Sequence, residues 1–149
     1  MSGIRLAAYQ PDIAQNLGSM IRTCACLAIP TDVIGPCGFP FSVKGLRRSM
    51  MDYADLAQVT HHADWAQFLG ARAPGRLVLM TTLADTAVWD FAFQPGDTIL
   101  MGRESAGVPD EVHAQADARI TIPMPGGGRS LNVAVSAGIV LAEAVRQLR

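Results

Sequence analysis

Residues 126–144 read GGGRSLNVAVSAGIVLAEA: three glycines, an arginine and a Ser-Leu-Asn step run directly into Val133–Ala142, a segment with no charge and one hydroxyl. A flexible polar turn ahead of so apolar a run marks the start of a helix with little exposed face. That helix is expected over Leu131–Leu148, with Ser130 or Asn132 capping its free backbone N–H groups. Just upstream, Arg119–Ile122 has the short apolar character of a strand, and Pro123 and Pro125 force an irregular path into the glycines. Strand, loop and helix in this order form the unit from which parallel sheets are built.

The same alternation runs back to the N-terminus. Strands are expected at Ile4–Tyr9, Asp32–Gly35, Leu56–Thr60, Leu77–Thr82 and Thr98–Met101. Leu17, Met20, Ile21, Cys24 and Leu27/Ala28 recur at helical spacing. Val43–Met50, ending near Asp52-Tyr53, and Asp64–Leu69 read as further helices. Pro109-Asp110-Glu111 opens another, with a fixed φ and two acids where the helix dipole favours them. The expectation is an α/β fold, a mostly parallel sheet with helices on both faces. No repeat, linker or low-complexity tract divides the chain, so residues 1–149 are read as a single domain.

Half the residues are apolar and 17% are charged, which leaves apolar surface to be hidden in a large core or an oligomer. The net charge of −1 excludes a binder driven by an overall basic chain, but the charge is unevenly spread. Residues 1–50 carry five basic and two acidic groups, whereas residues 51–100 carry two and six. Three cysteines, Cys24, Cys26 and Cys37, read as free thiols of a reducing cytoplasm. No apolar run reaches membrane-spanning length, because Glu143 closes the longest one.

In a parallel sheet, ligands gather in the loops beyond the carboxyl ends of the strands. Three such loops have unusual composition. In PDIAQNLGSMIRTCA (Pro11–Ala25), Asn16 is a candidate helix start. Arg22 lies off the apolar stripe, between Gly18 and Cys26, either as a solvated helix arginine or as a group that a large ligand can approach. In ILMGRESAGVPDE (Ile99–Glu111), a buried strand breaks at Gly102, which allows close approach of a ligand, and Glu104 follows. The third loop is the glycine-rich stretch at 126–128, of the kind that can seat a phosphate before a helix. Neither a P-loop nor a dinucleotide fingerprint is present. His61-His62 point apart on any regular element, no cysteine pair has zinc spacing, and no metal site is expected.

Taken together, YQPDIAQNLGSMIRTCA, GPCGF, KGLRRSMMDYAD, LMGRESAGVP and IPMPGGGRSLN resemble, in order and nearly end to end, the motifs of the SPOUT superfamily of RNA 2′-O-ribose methyltransferases. Within it the chain is most similar to the minimal tRNA wobble-position (cytidine/uridine) enzymes, which carry no separate RNA-binding extension. The resemblance implies a C-terminal deep trefoil knot, a homodimer, and S-adenosylmethionine bound by Met80, Gly102, Ile122, Ser130 and Leu131. It places Arg22 at the ribose 2′-hydroxyl, with Asn16, Glu104 and Asn132 as its catalytic partners. The RNA-facing patch would be Lys44, Arg47, Arg48 and Tyr53, with tRNA or another structured RNA as the partner. The chain departs from its group at AQNLG (14–18), where Pro-Pro-Asn-Thr-Gly is usual, and after Ser-Leu-Asn. Three targets follow: the wobble ribose, another tRNA or rRNA position, or RNA binding without turnover. A homodimer through the last helix is expected from its apolar faces.

Overall fold

The computed structural model describes residues 3–50, 53 and 55–149. Along the chain these form β1 (Arg5–Tyr9), α1 (Ala14–Cys26), β2 (Thr31–Ile34), α2 (Val43–Met50), β3 (Val59–His62), α3 (Trp65–Ala71) and β4 (Leu77–Met80). They continue as β5 (Thr86–Ala87), a 3-10 turn (Val88–Asp90), β6 (Thr98–Met101), α4 (Asp110–Gln115), β7 (Ala118–Thr121) and α5 (Val133–Leu148). Among the described residues the strands form one sheet in the order β3-β2-β1-β6-β4-β7-β5, and every pairing is parallel. Asp52, at the expected end of α2, and Met51 and Ala54 of the same motif lie outside the described residues.

Alternation along each strand divides the core in two. Leu6, Ala8, Val78, Ile99, Met101 and Ile120 point to one face. There they meet Leu17, Met20, Ile21 and Cys24 of α1 and Ala137, Val140, Leu141 and Ala144 of α5. Ala7, Tyr9, Leu77, Leu79 and Leu100 point to the other face, against Phe68 of α3 and Val112 of α4. Both helical sets recur at three- and four-residue steps, so each helix lays one stripe on the sheet. Strands buried on both faces need apolar residues at every position, which is why they read as continuous runs. Among the described residues, no helix is long and apolar enough to cross a membrane.

The expected helices on both faces are present; β6 lies where expected, β1, β2 and β7 differ by one residue, and β4 ends two residues early. The larger correction is the third strand, which occupies Val59–His62 rather than Leu56–Thr60. The N–H groups of Leu56 and Ala57 both donate to the Tyr53 carbonyl, so this stretch turns instead of extending, and Leu56 is 53% exposed. The strand runs on because His62 is buried: its Nε2 lies 2.9 Å from Asp32 Oδ1, and its ring meets Phe68 edge-on. Arg5 Nε donates to the other oxygen of Asp32 at 2.9 Å, and a polar residue thereby satisfies a core position. His61 points to the opposite face, toward Phe41. β5 and the 3-10 turn were not anticipated; two residues of strand carry too little pattern to be read.

Candidate active site

A cleft of about 530 Å³ opens beyond the carboxyl ends of β4, β6 and β7, beside the first turn of α1. Its walls come from four separated parts of the chain: Asn16, then Met80 to Thr82, then the loop from Gly102 to Val108, then Ile122 through Ser136. Every residue expected to hold the cofactor lines it: Met80, Gly102, Ile122, Ser130 and Leu131. So do Asn16, Glu104 and Asn132. Arg22, Lys44, Arg47, Arg48 and Tyr53 do not; among the described residues they lie around α1 and α2, outside this cleft.

Asn132, not Ser130, caps α5. Its Oδ1 accepts from the N–H groups of Ala134 at 2.8 Å and Val135 at 3.1 Å. The amide nitrogen is thereby turned outward and donates to Asn16 Oδ1 at 3.1 Å, joining the last helix to the first across 116 positions of sequence. Asn16 itself does not cap α1. That helix begins two residues earlier behind Ile13, with no side-chain cap, and Asn16 is spent on Asn132 instead.

Gly102 is needed for a close approach, but the approaching group is protein. A Cβ there would lie 2.8 Å from Cα of Gly107, because Arg103 and Gly107 exchange backbone hydrogen bonds at 3.0 Å in a tight hairpin. Gly107 closes that hairpin at φ +63°, in the left-handed region that glycine adopts readily. The hairpin folds Glu104 back toward the first loop. There the Asp12 N–H donates to Glu104 Oε2 at 3.0 Å, and the Glu104 N–H donates to Asp12 Oδ1 at 3.1 Å. The Ser105 hydroxyl donates to the remaining oxygen of Asp12.

These contacts separate the two carboxyls electrostatically. Glu104, Ser105 and backbone donors hold Asp12 down at about 2. Removal from water pushes Glu104 up, and the neighbouring Asp12 adds to it. Glu104 Oε1 is buried and, among the described residues, without a hydrogen-bond partner. Asp12 and Ser105 were read from the sequence only as a turn and a loop residue. Asp12 exchanges hydrogen bonds with Glu104, 92 positions away, and accepts one from Ser105, 93 positions away, which no local pattern reveals.

Arg22 is placed differently from the other catalytic candidates. It is exposed on α1, and its guanidinium lies 4.3 Å above the Tyr53 ring and donates to the Tyr53 hydroxyl at 2.8 Å. Lys44, Arg47 and Arg48 lie on exposed positions of α2. Arg22 on α1 and Lys44, Arg47 and Arg48 on α2 therefore all occupy exposed positions outside the cleft.

A parallel α/β sheet with a cleft beyond the carboxyl ends of its strands, beside helices that carry exposed arginines, is the architecture of an α/β protein with a small-molecule site at the edge of its sheet. Residues 3–142 match the SpoU rRNA Methylase family, and the chain belongs to it. It is 51% identical to the tRNA (cytidine(34)-2′-O)-methyltransferase of Beijerinckia indica subsp. indica, over 96% of this chain and 91% of that one. A solved structure described as giving insights into the 2-OH methylation of C/U34 on tRNA superposes with a TM-score of 0.89 at 40% identity, covering 97% of this chain and 95% of the other. An AdoMet-bound rRNA methyltransferase from Sinorhizobium meliloti superposes with a TM-score of 0.83 at 27% identity, over 98% of this chain and 57% of that one.

Proposed function

We propose that this protein transfers a methyl group from S-adenosylmethionine to the ribose 2′-hydroxyl of a tRNA nucleotide, at the wobble pyrimidine. One observation carries this reading: the cofactor residues and three of the four catalytic residues, drawn from four parts of the chain, converge on one cleft. The activities named for the relatives at 51% and 40% identity support the wobble position.

The cleft fits the cofactor. Its volume lies in the usual range for small-molecule sites, and its lining mixes apolar side chains with the hydroxyl residues Thr81, Thr82, Ser130 and Ser136. Met80, Gly102, Ile122, Ser130 and Leu131 would hold S-adenosylmethionine, which supplies an electrophilic methyl group when bound. Asn132 and Asn16 fix the first turn of α5 against α1, so Ser130 and Leu131 are held in place before a ligand arrives. Methyl transfer is an in-line displacement, and alignment by such fixed groups supplies much of the acceleration. Arg22, which stands outside this cleft, would hold the phosphate beside the reacting ribose and stabilise the alkoxide that forms as the 2′-hydroxyl proton passes to that phosphate or to water, while the carbon–sulfur bond breaks and S-adenosylhomocysteine leaves.

The wider reading has four more parts: a single domain over residues 1–149, a C-terminal segment knotted as in the resembling superfamily, action in the cytoplasm, and a homodimer. Apolar side chains left exposed beside the Asn16–Asn132 bond, Ile13, Leu131 and Val135, support the dimer. Labelled S-adenosylmethionine incubated with total tRNA and rRNA, followed by mapping of the modified nucleotide, tests the activity. The expected label is a 2′-O-methyl pyrimidine at the wobble position. Label elsewhere, or none, overturns the assignment.

A further inference from the structure

We infer that the groove between α1 and α2 is a nucleobase pocket, which takes an unstacked base near the methylated nucleotide in the same RNA loop. This rests on the RNA-methyltransferase reading above and adds to it a second contact site. The groove measures about 500 Å³ and is separate from the cofactor cleft. Ala14, Leu17 and Gly18 form one wall, and Phe39, Phe41 and Leu46 form the other. Two aromatic rings and aliphatic side chains suit a flat, apolar ring system, and base–aromatic stacking accepts any base.

Charge identifies the occupant. Between residues 13 and 50 the sequence has one acid, Asp32, and that one is buried against Arg5 and His62. The same span carries Arg22, Lys44, Arg47 and Arg48. Lys44 and Arg48 flank Gly45 in the groove wall, and Arg22 stands one helical turn beyond Gly18. An apolar slot with no acid in its own lining, beside a helix that carries Lys44, Arg47 and Arg48, complements a base with its flanking phosphates better than it does a purely apolar partner. The first turns of α1 are the partition: Ile13 and Asn16 face the cofactor cleft, and Ala14, Leu17 and Gly18 face the groove. A helix is roughly 10 Å wide, so one RNA loop can reach across it to both sites.

Gly18 makes the test clean. A Cβ at this position meets nothing within 4 Å, so Gly18→Leu starts a side chain in open space at the groove wall and removes a helix-weakening glycine. The measurements are affinity for a fluorescently labelled anticodon stem-loop, calorimetric binding of S-adenosylmethionine, thermal melting and sedimentation velocity, on Gly18→Leu and the unchanged protein. Gly18→Leu should melt no lower, bind S-adenosylmethionine equally, keep its sedimentation coefficient and lose about ten-fold or more in RNA affinity. Unchanged RNA affinity in that folded variant overturns the pocket alone. An altered sedimentation coefficient assigns the groove to a second copy of the chain and also overturns it. If the unchanged protein methylates no RNA, the activity reading falls and takes the pocket with it.

Discussion

At Glu104 the backbone hairpin, the Asp12 amide and the surrounding protein keep a carboxyl in the cleft wall with one oxygen bonded and the other bare. A carboxyl raised by burial stabilises the fold while protonated, and that contribution is lost as pH rises through the raised value. Asp12 has the opposite sign: held at about 2, it stabilises above the ordinary aspartate value and loses this as pH falls toward 2. Glu104→Gln should therefore melt higher than the unchanged protein at neutral pH and lose this advantage in acid. Calorimetric melts at both pH values check it, and a lower melting point at neutral pH would contradict it. Arg22 belongs to the same scale. Arg22→Ala should bind S-adenosylmethionine normally and lose roughly 100-fold or more in methyl transfer, as removal of one preorganised donor does elsewhere. Normal turnover in that variant would remove Arg22 from the mechanism.

Among the elements, α5 depends most on one side chain. Asn132 satisfies two backbone N–H groups at the helix start and also reaches Asn16. Loss of an N-cap costs about 1 kcal/mol. Asn132→Ala should show at least that loss in denaturant melts and weaker cofactor binding besides, whereas Asp64→Ala, which uncaps α3, should show the stability loss alone. Periodicity in the sequence revealed α5, α1 and the central strands, because buried faces repeat at fixed steps. It misplaced β3, because His62 is a core residue only by virtue of Asp32, which lies 30 positions away. It gave Asn16 a local role because asparagine near a helix start is usually a cap; the long-range bond to Asn132 took precedence. The residues that line the cleft were legible through order and spacing of motifs, whereas Asp12 was not, since its partners come from a distant loop.

For the whole molecule, the apolar character of α5 is only half used within one chain. Ala137, Val140, Leu141 and Ala144 are buried against the sheet, yet Val135 on the same helix is 52% exposed. The proposed homodimer would give Val135 a partner. Val135→Glu should then sediment as a monomer at micromolar concentration, where the unchanged chain sediments as a dimer. A monomeric unchanged protein would contradict the dimer directly.

The sheet also has a seam with kinetic meaning. β1, β2 and β3 pair in chain order, but β1 meets β6 by joining Arg5 to Thr98 and Ala8 to Met101, a closure over more than half the chain. Distant pairings of this kind form slowly, after local helices and neighbouring strands. The Asp12–Glu104 and Asn16–Asn132 bonds straddle that seam, so the ligand cleft takes shape only when the two halves of the sheet have met. On dilution from denaturant, helical circular dichroism should recover first and cofactor binding should lag behind it. Ligand binding is thereby a reporter of complete folding, and partly folded chains stay silent.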